Sequence, residues 1–92
     1  MADMWDAIVL EAEDESMLWR SCVIPGRERK LVPVFSGLSE PRYGLGLETI
    51  YEGYLVHYGT SRLFAAPDAD VSLLLGDYLY AHGLVRIAAC GD

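Results

Sequence analysis

The sequence is short of basic residues. Seven lysines and arginines stand against 14 aspartates and glutamates, which gives a net charge of −7. Binding to a nucleic-acid backbone or to an anionic membrane surface needs a basic footprint, so the composition argues against both functions. The acidity is typical of a protein that stays in solution, or of one that docks on a basic surface of another molecule.

Cysteines and long apolar runs are also scarce. Cys22 and Cys90 form no CxxC motif, a secreted domain of this size usually carries several disulfides, and no signal peptide is recognisable. We therefore predict a cytoplasmic protein whose cysteines are reduced and act as small buried hydrophobic residues. The longest apolar stretch, residues 71–89, contains Asp77 and Arg86, and their cost in a bilayer argues against a membrane span.

Hydrophobic residues, in contrast, are abundant. They make up 52% of the 92 residues. A single domain of this length, residues 1–92, buries only about 60–65% of the surface that its unfolded chain exposes. The surplus of apolar side chains predicts exposed apolar surface that another protein chain covers.

Residues 47–58 show the clearest amphipathic helical pattern. One face carries apolar and aromatic residues at helical spacing: Leu47, Ile50, Tyr51, Tyr54, Leu55 and Tyr58. The opposite face is polar and carries Glu48, Thr49, Glu52 and His57. Gly59 follows as a left-handed helix stop. We expect Tyr51, Tyr54 and Tyr58 to line an apolar pocket or an interface.

Residues 68–90 predict a second long helix that is apolar on almost every face. Asp68 is a suitable N-cap, and the preceding connection carries Leu63 and Phe64 as apolar anchors. A strip of mainly small residues that includes Gly76 and Gly83 allows another helix to approach closely. Such a helix must be covered on all sides, and we expect a second chain to cover it through Leu74, Gly76, Tyr78, Leu79, His82, Gly83 and Arg86.

The first third of the chain leaves alternatives open. Residues 3–16 predict a helix with Trp5, Ile8, Val9 and Ala12 on one face, although residues 7–10 also suit a short strand. Residues 18–24 and 31–35 predict either a hairpin around Pro25-Gly26 or an extended arm within residues 1–35. Residues 36–46 read as a linker, which leaves residues 47–92 as the helical core of a mainly α-helical domain.

The titratable residues form no recognisable catalytic or metal-binding constellation. Glu48 and Glu52 are four residues apart on the polar helix face, which usually means that both are solvated. The E-x-x-H pattern of di-iron bundles is absent. We expect His82 to be hydrogen-bonded in the core or an interface, and Asp77 to need Arg62 or Arg86 as a partner if it is buried. No catalytic residue, metal or cofactor is predicted.

One short segment resembles a known family. Leu75, Gly76, Asp77, Tyr78, Leu79, Ala81 and Leu84 follow the pattern L-G-D-Y-L-x-A-x-x-L, which is similar to a helix of polyprenyl diphosphate synthases. The resemblance implies an all-α fold and covers about 20 residues. The aspartate-rich motifs that hold magnesium and diphosphate in that family have no counterpart upstream, where residues 47–58 contain no aspartate. Catalysis therefore does not carry over.

These observations predict a non-catalytic protein–protein interaction module. We expect a small acidic subunit or inhibitor-like protein that assembles with another chain or with copies of itself, without nucleic acid. The alternative is a binding protein for an apolar, isoprenoid-like or quinone-like ligand, which the tyrosine-rich helix and the resemblance both suggest.

Overall fold

The computed structural model describes residues 4–26, 31 and 40–90, and within these ranges the protein is mainly α-helical. The four helices are α1 (Met4–Glu15), α2 (Met17–Ser21), α3 (Pro41–Tyr58) and α4 (Ala69–Cys90). The predicted fold class, with two principal helices, is confirmed.

Helix α1 buries the apolar face that its spacing predicts. Trp5, Ile8, Val9 and Ala12 are all buried, so the strand alternative for residues 7–10 is wrong. The acidic residues at the end of α1 bring the helix to a stop at Glu15, because negative charge is unfavourable near a helix C-terminus.

The predicted first strand of the hairpin is replaced by a short helix. Ser16 caps α2 by accepting a hydrogen bond from the Leu18 amide at 3.0 Å, a preference of serine that competes with extended structure. Extended pairing within the described residues is limited to an isolated antiparallel bridge between Val23 and Phe64. The second predicted strand, apart from Leu31, lies outside the described residues.

Helix α3 begins six residues earlier than its apolar pattern predicts. Pro41 occupies the start of the helix, where its fixed φ and missing N–H are favourable. The linker prediction is therefore wrong from residue 41 onward, and residues 36–39 lie outside the described part. The helix ends at Tyr58 as predicted, with Gly59 as C-cap, although the φ of Gly59 is −140° and not left-handed.

The connection between α3 and α4 is buried at its centre. Leu63 and Phe64 are anchored in the core as predicted. Backbone hydrogen bonds join this connection to the segment after α2, with Ile24 donating to Leu63 at 2.8 Å and Ala65 donating to Cys22 at 2.7 Å. Asp68 then caps α4, as predicted, by accepting a hydrogen bond from the Val71 amide at 2.9 Å.

Helices α3 and α4 pack antiparallel, with two pairs of glycines at the contact. A Cβ atom added to Gly53 would lie 2.8 Å from the carbonyl oxygen of Gly76, and one added to Gly83 would lie 2.8 Å from that of Gly46. These distances are shorter than van der Waals contact, so the two backbones touch. The small-residue strip of α4 thus receives a helix of its own chain.

Candidate functional site

The two glutamates predicted to be solvated lie at the centre of the protein. Glu48 and Glu52 are both 0% exposed, and Thr49 between them is also buried. The predicted orientation of α3 is therefore wrong. The helix turns Glu48, Thr49 and Glu52 inward, while Leu45 and Val56 pack partly buried against the core cluster on the same side.

Arg62 is the reason for this reversal. Its Nη1 lies 2.7 Å from Glu48 Oε1, and its Nε lies 2.5 Å from Glu52 Oε2. The guanidinium carbon also lies 4.6 Å from the Trp5 ring centroid and 5.1 Å from that of Tyr51. Buried charges are tolerated only when they are paired and hydrogen-bonded, and this arrangement provides both.

Ser61 completes the buried polar cluster. Its hydroxyl donates to Glu52 and accepts hydrogen bonds from the amides of Leu63 and Phe64 at 3.1 and 3.0 Å. The connection between α3 and α4 is thereby held against α3 by the cluster of Glu48, Glu52, Ser61 and Arg62. Its members bind one another, so the arrangement holds the fold and does not present a nucleophile or base to a substrate.

The reversal of α3 leaves two of its tyrosines largely exposed. Tyr54 is 55% exposed and Tyr58 is 77% exposed. The rings of Tyr51, Tyr54 and Tyr58 follow one another along the helix, with centroid separations of 6.0 Å and 5.3 Å. Tyr54 and Tyr58 thus add aromatic surface to the outer side of α3, next to the partly buried Tyr51.

Helix α4 extends this surface with a second row of exposed apolar side chains. Leu73, Tyr80 and Leu84 are each about half exposed, and their spacing places them on one side of the helix. We call the combined surface the tyrosine face; it consists of Leu47, Ile50, Tyr51, Tyr54, Tyr58, Leu73, Tyr80 and Leu84. The predicted pocket or interface tyrosines all belong to it.

Two grooves cross the tyrosine face. An open groove of about 570 Å³ is lined by Leu47, Ile50, Tyr51 and Tyr54. A second groove of about 360 Å³ lies directly over the α3–α4 contact, between Tyr54, Tyr58 and Tyr80. Asp77 and His57 lie at its edge, with Asp77 Oδ1 3.5 Å from His57 Nε2. Asp77 is thus exposed, and among the described residues its nearest basic neighbour is His57 and not either predicted arginine.

The residues predicted as an interface on α4 divide into three groups. Gly76, Leu79 and Gly83 are buried within the chain, under the close approach of α3. Tyr78, His82 and Arg86 face α1 and α2. Leu74 alone of the seven is exposed by more than half.

Of these residues, His82 and Arg86 join α4 to α1 through the carboxylate of Glu11. Glu11 Oε1 lies 3.1 Å from His82 Nδ1, and Glu11 Oε2 lies 2.6 Å from Arg86 Nη2. The Tyr78 ring stacks on Trp19 with centroids 5.8 Å apart. Burial, with smaller contributions from Glu15 and Glu11, raises the pKa of Tyr78 to about 12.

In the described part of the chain, the cysteines and the acidic residues form no metal site. Both cysteines are free thiols; Cys22 is buried as predicted, whereas Cys90 is only partly buried. Burial raises the pKa of the Cys22 thiol, which disfavours the reactive thiolate. Within the described ranges, no group of three or more histidine, cysteine or acidic side chains could hold a metal ion. None of the described helices combines the length and the hydrophobicity that a membrane span requires.

Sequence reasoning missed the role of Arg62 and Ser61. The available signal was an arginine directly before the apolar anchors Leu63 and Phe64, where the chain enters the core. A cation at that place needs a buried acid, and Glu48 and Glu52 are two acids on a single helix face.

Comparison with known proteins gives no relative: no family model, no curated protein and no solved structure matches this chain. The resemblance of residues 75–84 to a polyprenyl diphosphate synthase helix stays a prediction. The geometry of the tyrosine face is the remaining guide to function.

Proposed function

We propose that this protein is a non-catalytic interaction module that binds another protein chain through the tyrosine face. The observation that carries the proposal is the exposed row of Tyr54, Tyr58 and Tyr80 across two helices. Contiguous exposed apolar surface marks interaction sites in small domains, and tyrosine is enriched in protein interfaces.

The rigidity of the surface supports this proposal. The glycine contacts between α3 and α4 and the buried cluster around Arg62 fix both helices in position. A preformed surface loses little conformational freedom on binding, which favours affinity. The side chains that sequence reasoning considered for acid–base chemistry, Glu48 and Glu52, are enclosed and paired, which supports a binding role over a catalytic one.

The partner is a different protein, and we expect the complex in the cytoplasm. A second copy would bring the same net charge of −7, and like charges oppose association. The two free thiols suit a reducing compartment. The protein then acts as a small acidic subunit or inhibitor-like chain of a larger assembly.

Site-specific photocrosslinking in the native host tests the proposal. Tyr58 and Tyr80 are replaced one at a time by photoreactive benzoylphenylalanine, with Val85, which is 64% exposed elsewhere on α4, as the matched control position. We expect the same defined adduct from Tyr58 and Tyr80 and none from Val85. Adducts of equal yield at Val85, or none at either tyrosine, would contradict the proposal. An adduct of the protein with itself would identify a homo-oligomer.

The groove of about 570 Å³ favours a second candidate function, the binding of an apolar isoprenoid-like or quinone-like molecule. Its volume lies within the usual range of ligand pockets, and its lining is apolar and aromatic. Native mass spectrometry of protein from its own host should then show a bound lipid that the Leu47→Glu variant lacks. An empty protein, with no thermal shift on addition of prenyl compounds, would dismiss this candidate.

A further inference from the structure

The smaller groove of the tyrosine face combines aromatic walls with a carboxylate. Tyr54 and Tyr58 of α3 and Tyr80 of α4 surround a volume of about 360 Å³, and the Asp77 side chain lies at its edge with 66% of its surface exposed. Gly53 and Gly76 also line it. Glycine has no side chain, so backbone atoms of both helices form part of the groove lining.

Among the residues that the structure describes, the charge of Asp77 is only weakly engaged. The nearest cationic candidate, His57 Nε2, lies 3.5 Å away but also lies 3.0 Å from the carbonyl oxygen of Leu73. A carbonyl only accepts hydrogen bonds, so the Nε2–H is directed to Leu73 at the shorter distance. None of the four arginines in the described ranges lines the groove.

Two arginines of this chain lie in similar surroundings, between aromatic rings and a carboxylate. Arg62 lies against the rings of Trp5 and Tyr51 while it binds glutamate oxygens. Arg42 repeats the combination at the surface, 4.7 Å from the Tyr43 ring centroid and 2.9 Å from Glu40. A planar guanidinium stacks on aromatic rings and donates two hydrogen bonds to one carboxylate, which a lysine ammonium does less well.

We infer that this groove binds an arginine side chain of the partner protein, stacked among Tyr54, Tyr58 and Tyr80 and paired with Asp77. The inference rests on the proposed function and specifies the chemistry of the partner. The net charge of −7 adds to it, because an acidic protein attracts a basic surface over a long range. The arginine supplies the buried anchor of the interface, a role in which arginine is enriched.

Titration with small probes tests the site without knowledge of the partner. The backbone amide spectrum of the full chain is recorded with N-acetyl-arginine amide and with N-acetyl-citrulline amide, which has the same shape but no charge. We expect shifts at Gly53, Gly76 and Asp77 with the arginine probe and not with citrulline. Asp77→Asn should weaken binding about five-fold. Asp14→Asn removes the same charge from the exposed end of α1 and should leave the affinity unchanged.

Several outcomes would overturn the assignment. Equal shifts with citrulline, equal weakening by Asp77→Asn and Asp14→Asn, or shifts spread over α1 would show nonspecific attraction to an acidic protein. Stronger binding of N-acetyl-lysine amide or of choline would exclude arginine as the preferred group. The proposed function is judged separately: crosslinks from positions 58 and 80 without arginine-specific shifts at Gly53, Gly76 and Asp77 would keep the interface and reject the arginine, whereas the absence of crosslinks would reject the interface itself.

Discussion

The inner face of α3 is polar and its outer face is aromatic, which reverses the usual relation between side-chain polarity and burial. The inner face carries Glu48 and Glu52, which are fully buried, whereas the outer face carries Tyr54 and Tyr58, which are more than half exposed. A hydrophobic pattern identifies the buried face of a helix only when its neighbours are apolar. Here the neighbour is Arg62, and its charge decides which side of α3 turns inward.

Removal of Arg62 should produce the largest change in this arrangement. Arg62→Leu leaves two buried carboxylates without their cation, and breaking a buried ion pair in this way costs about 3–5 kcal/mol. We expect the variant to be largely unfolded at urea concentrations at which the wild-type protein remains folded. Arg42→Leu, which breaks an exposed pair, should change stability by less than about 1 kcal/mol.

A loss below about 1 kcal/mol in Arg62→Leu would contradict this account. The triple variant Glu48→Leu, Glu52→Leu, Arg62→Leu sharpens it further. Apolar replacement of a complete buried ion cluster is often neutral or stabilising, so the triple variant should recover most of the stability that Arg62→Leu loses.

The next effect concerns the glycine contact that holds α3 in its orientation. A Cβ atom at Gly83 would lie 2.8 Å from the Gly46 carbonyl oxygen, so Gly83→Ala should destabilise the isolated chain by about 1–3 kcal/mol. On a free helix surface the same change would stabilise by roughly 1 kcal/mol. Chemical unfolding shows whether the substitution lowers or raises the free energy of unfolding. Gly26→Ala, where no described atom lies within 4 Å of the added Cβ, is a control for the effect of the methyl group without close packing.

A third prediction uses Tyr78, a tyrosine that is largely covered, in contrast to those of the outer face. Its pKa is raised to about 12, whereas an unfolded tyrosine titrates near pH 10. Between roughly pH 10 and 12 the unfolded chain releases this proton while the native protein keeps it, so stability falls as the pH rises. The loss attributable to Tyr78 is on the order of 1 kcal/mol. Unfolding of wild-type and Tyr78→Phe protein across this window measures it, and parallel curves would contradict it.

The smallest effect on stability should come from the outer face itself. Tyr58→Ser removes a ring that is 77% exposed, and surface substitutions of this kind usually change stability by less than about 0.5 kcal/mol. The same variant should lose partner crosslinking from a photoreactive group at position 80. A loss of stability above about 1 kcal/mol would show that the tyrosine row supports the fold.

Sequence reasoning predicted the elements whose signals are local. The face of α1, the Asp68 cap of α4 and the end of α3 at Tyr58 all depend on neighbouring residues and are confirmed. The start of α3 was missed because Gly44 and Gly46 suggest a loop, whereas the packing of Gly46 against Gly83 stabilises the helix there.

The surroundings of α3 and α4 could not be predicted in the same way. The strip with Gly76 and Gly83 predicts a close helix crossing but not which helix supplies it. Likewise, Arg62 lies 10 residues from Glu52 and 14 from Glu48 along the chain, so the cluster depends on how the connection folds back. The tyrosine face follows from that fold-back and not from the helical pattern of α3 alone.

The burial of Arg62 has a consequence for the resistance of the protein to proteolysis. Connections between helices are ordinary cleavage sites for proteases, and trypsin cuts after arginine. The Arg62 side chain is only 7% exposed. The backbone amides of Arg62 and Leu63 donate hydrogen bonds to the side chains of Glu52 and Ser61. The peptide bond that follows Arg62 is therefore accessible only when the protein unfolds. Cleavage at this bond therefore reports global unfolding, whereas cleavage after the exposed Arg20 and Arg42 reports local opening of the native protein.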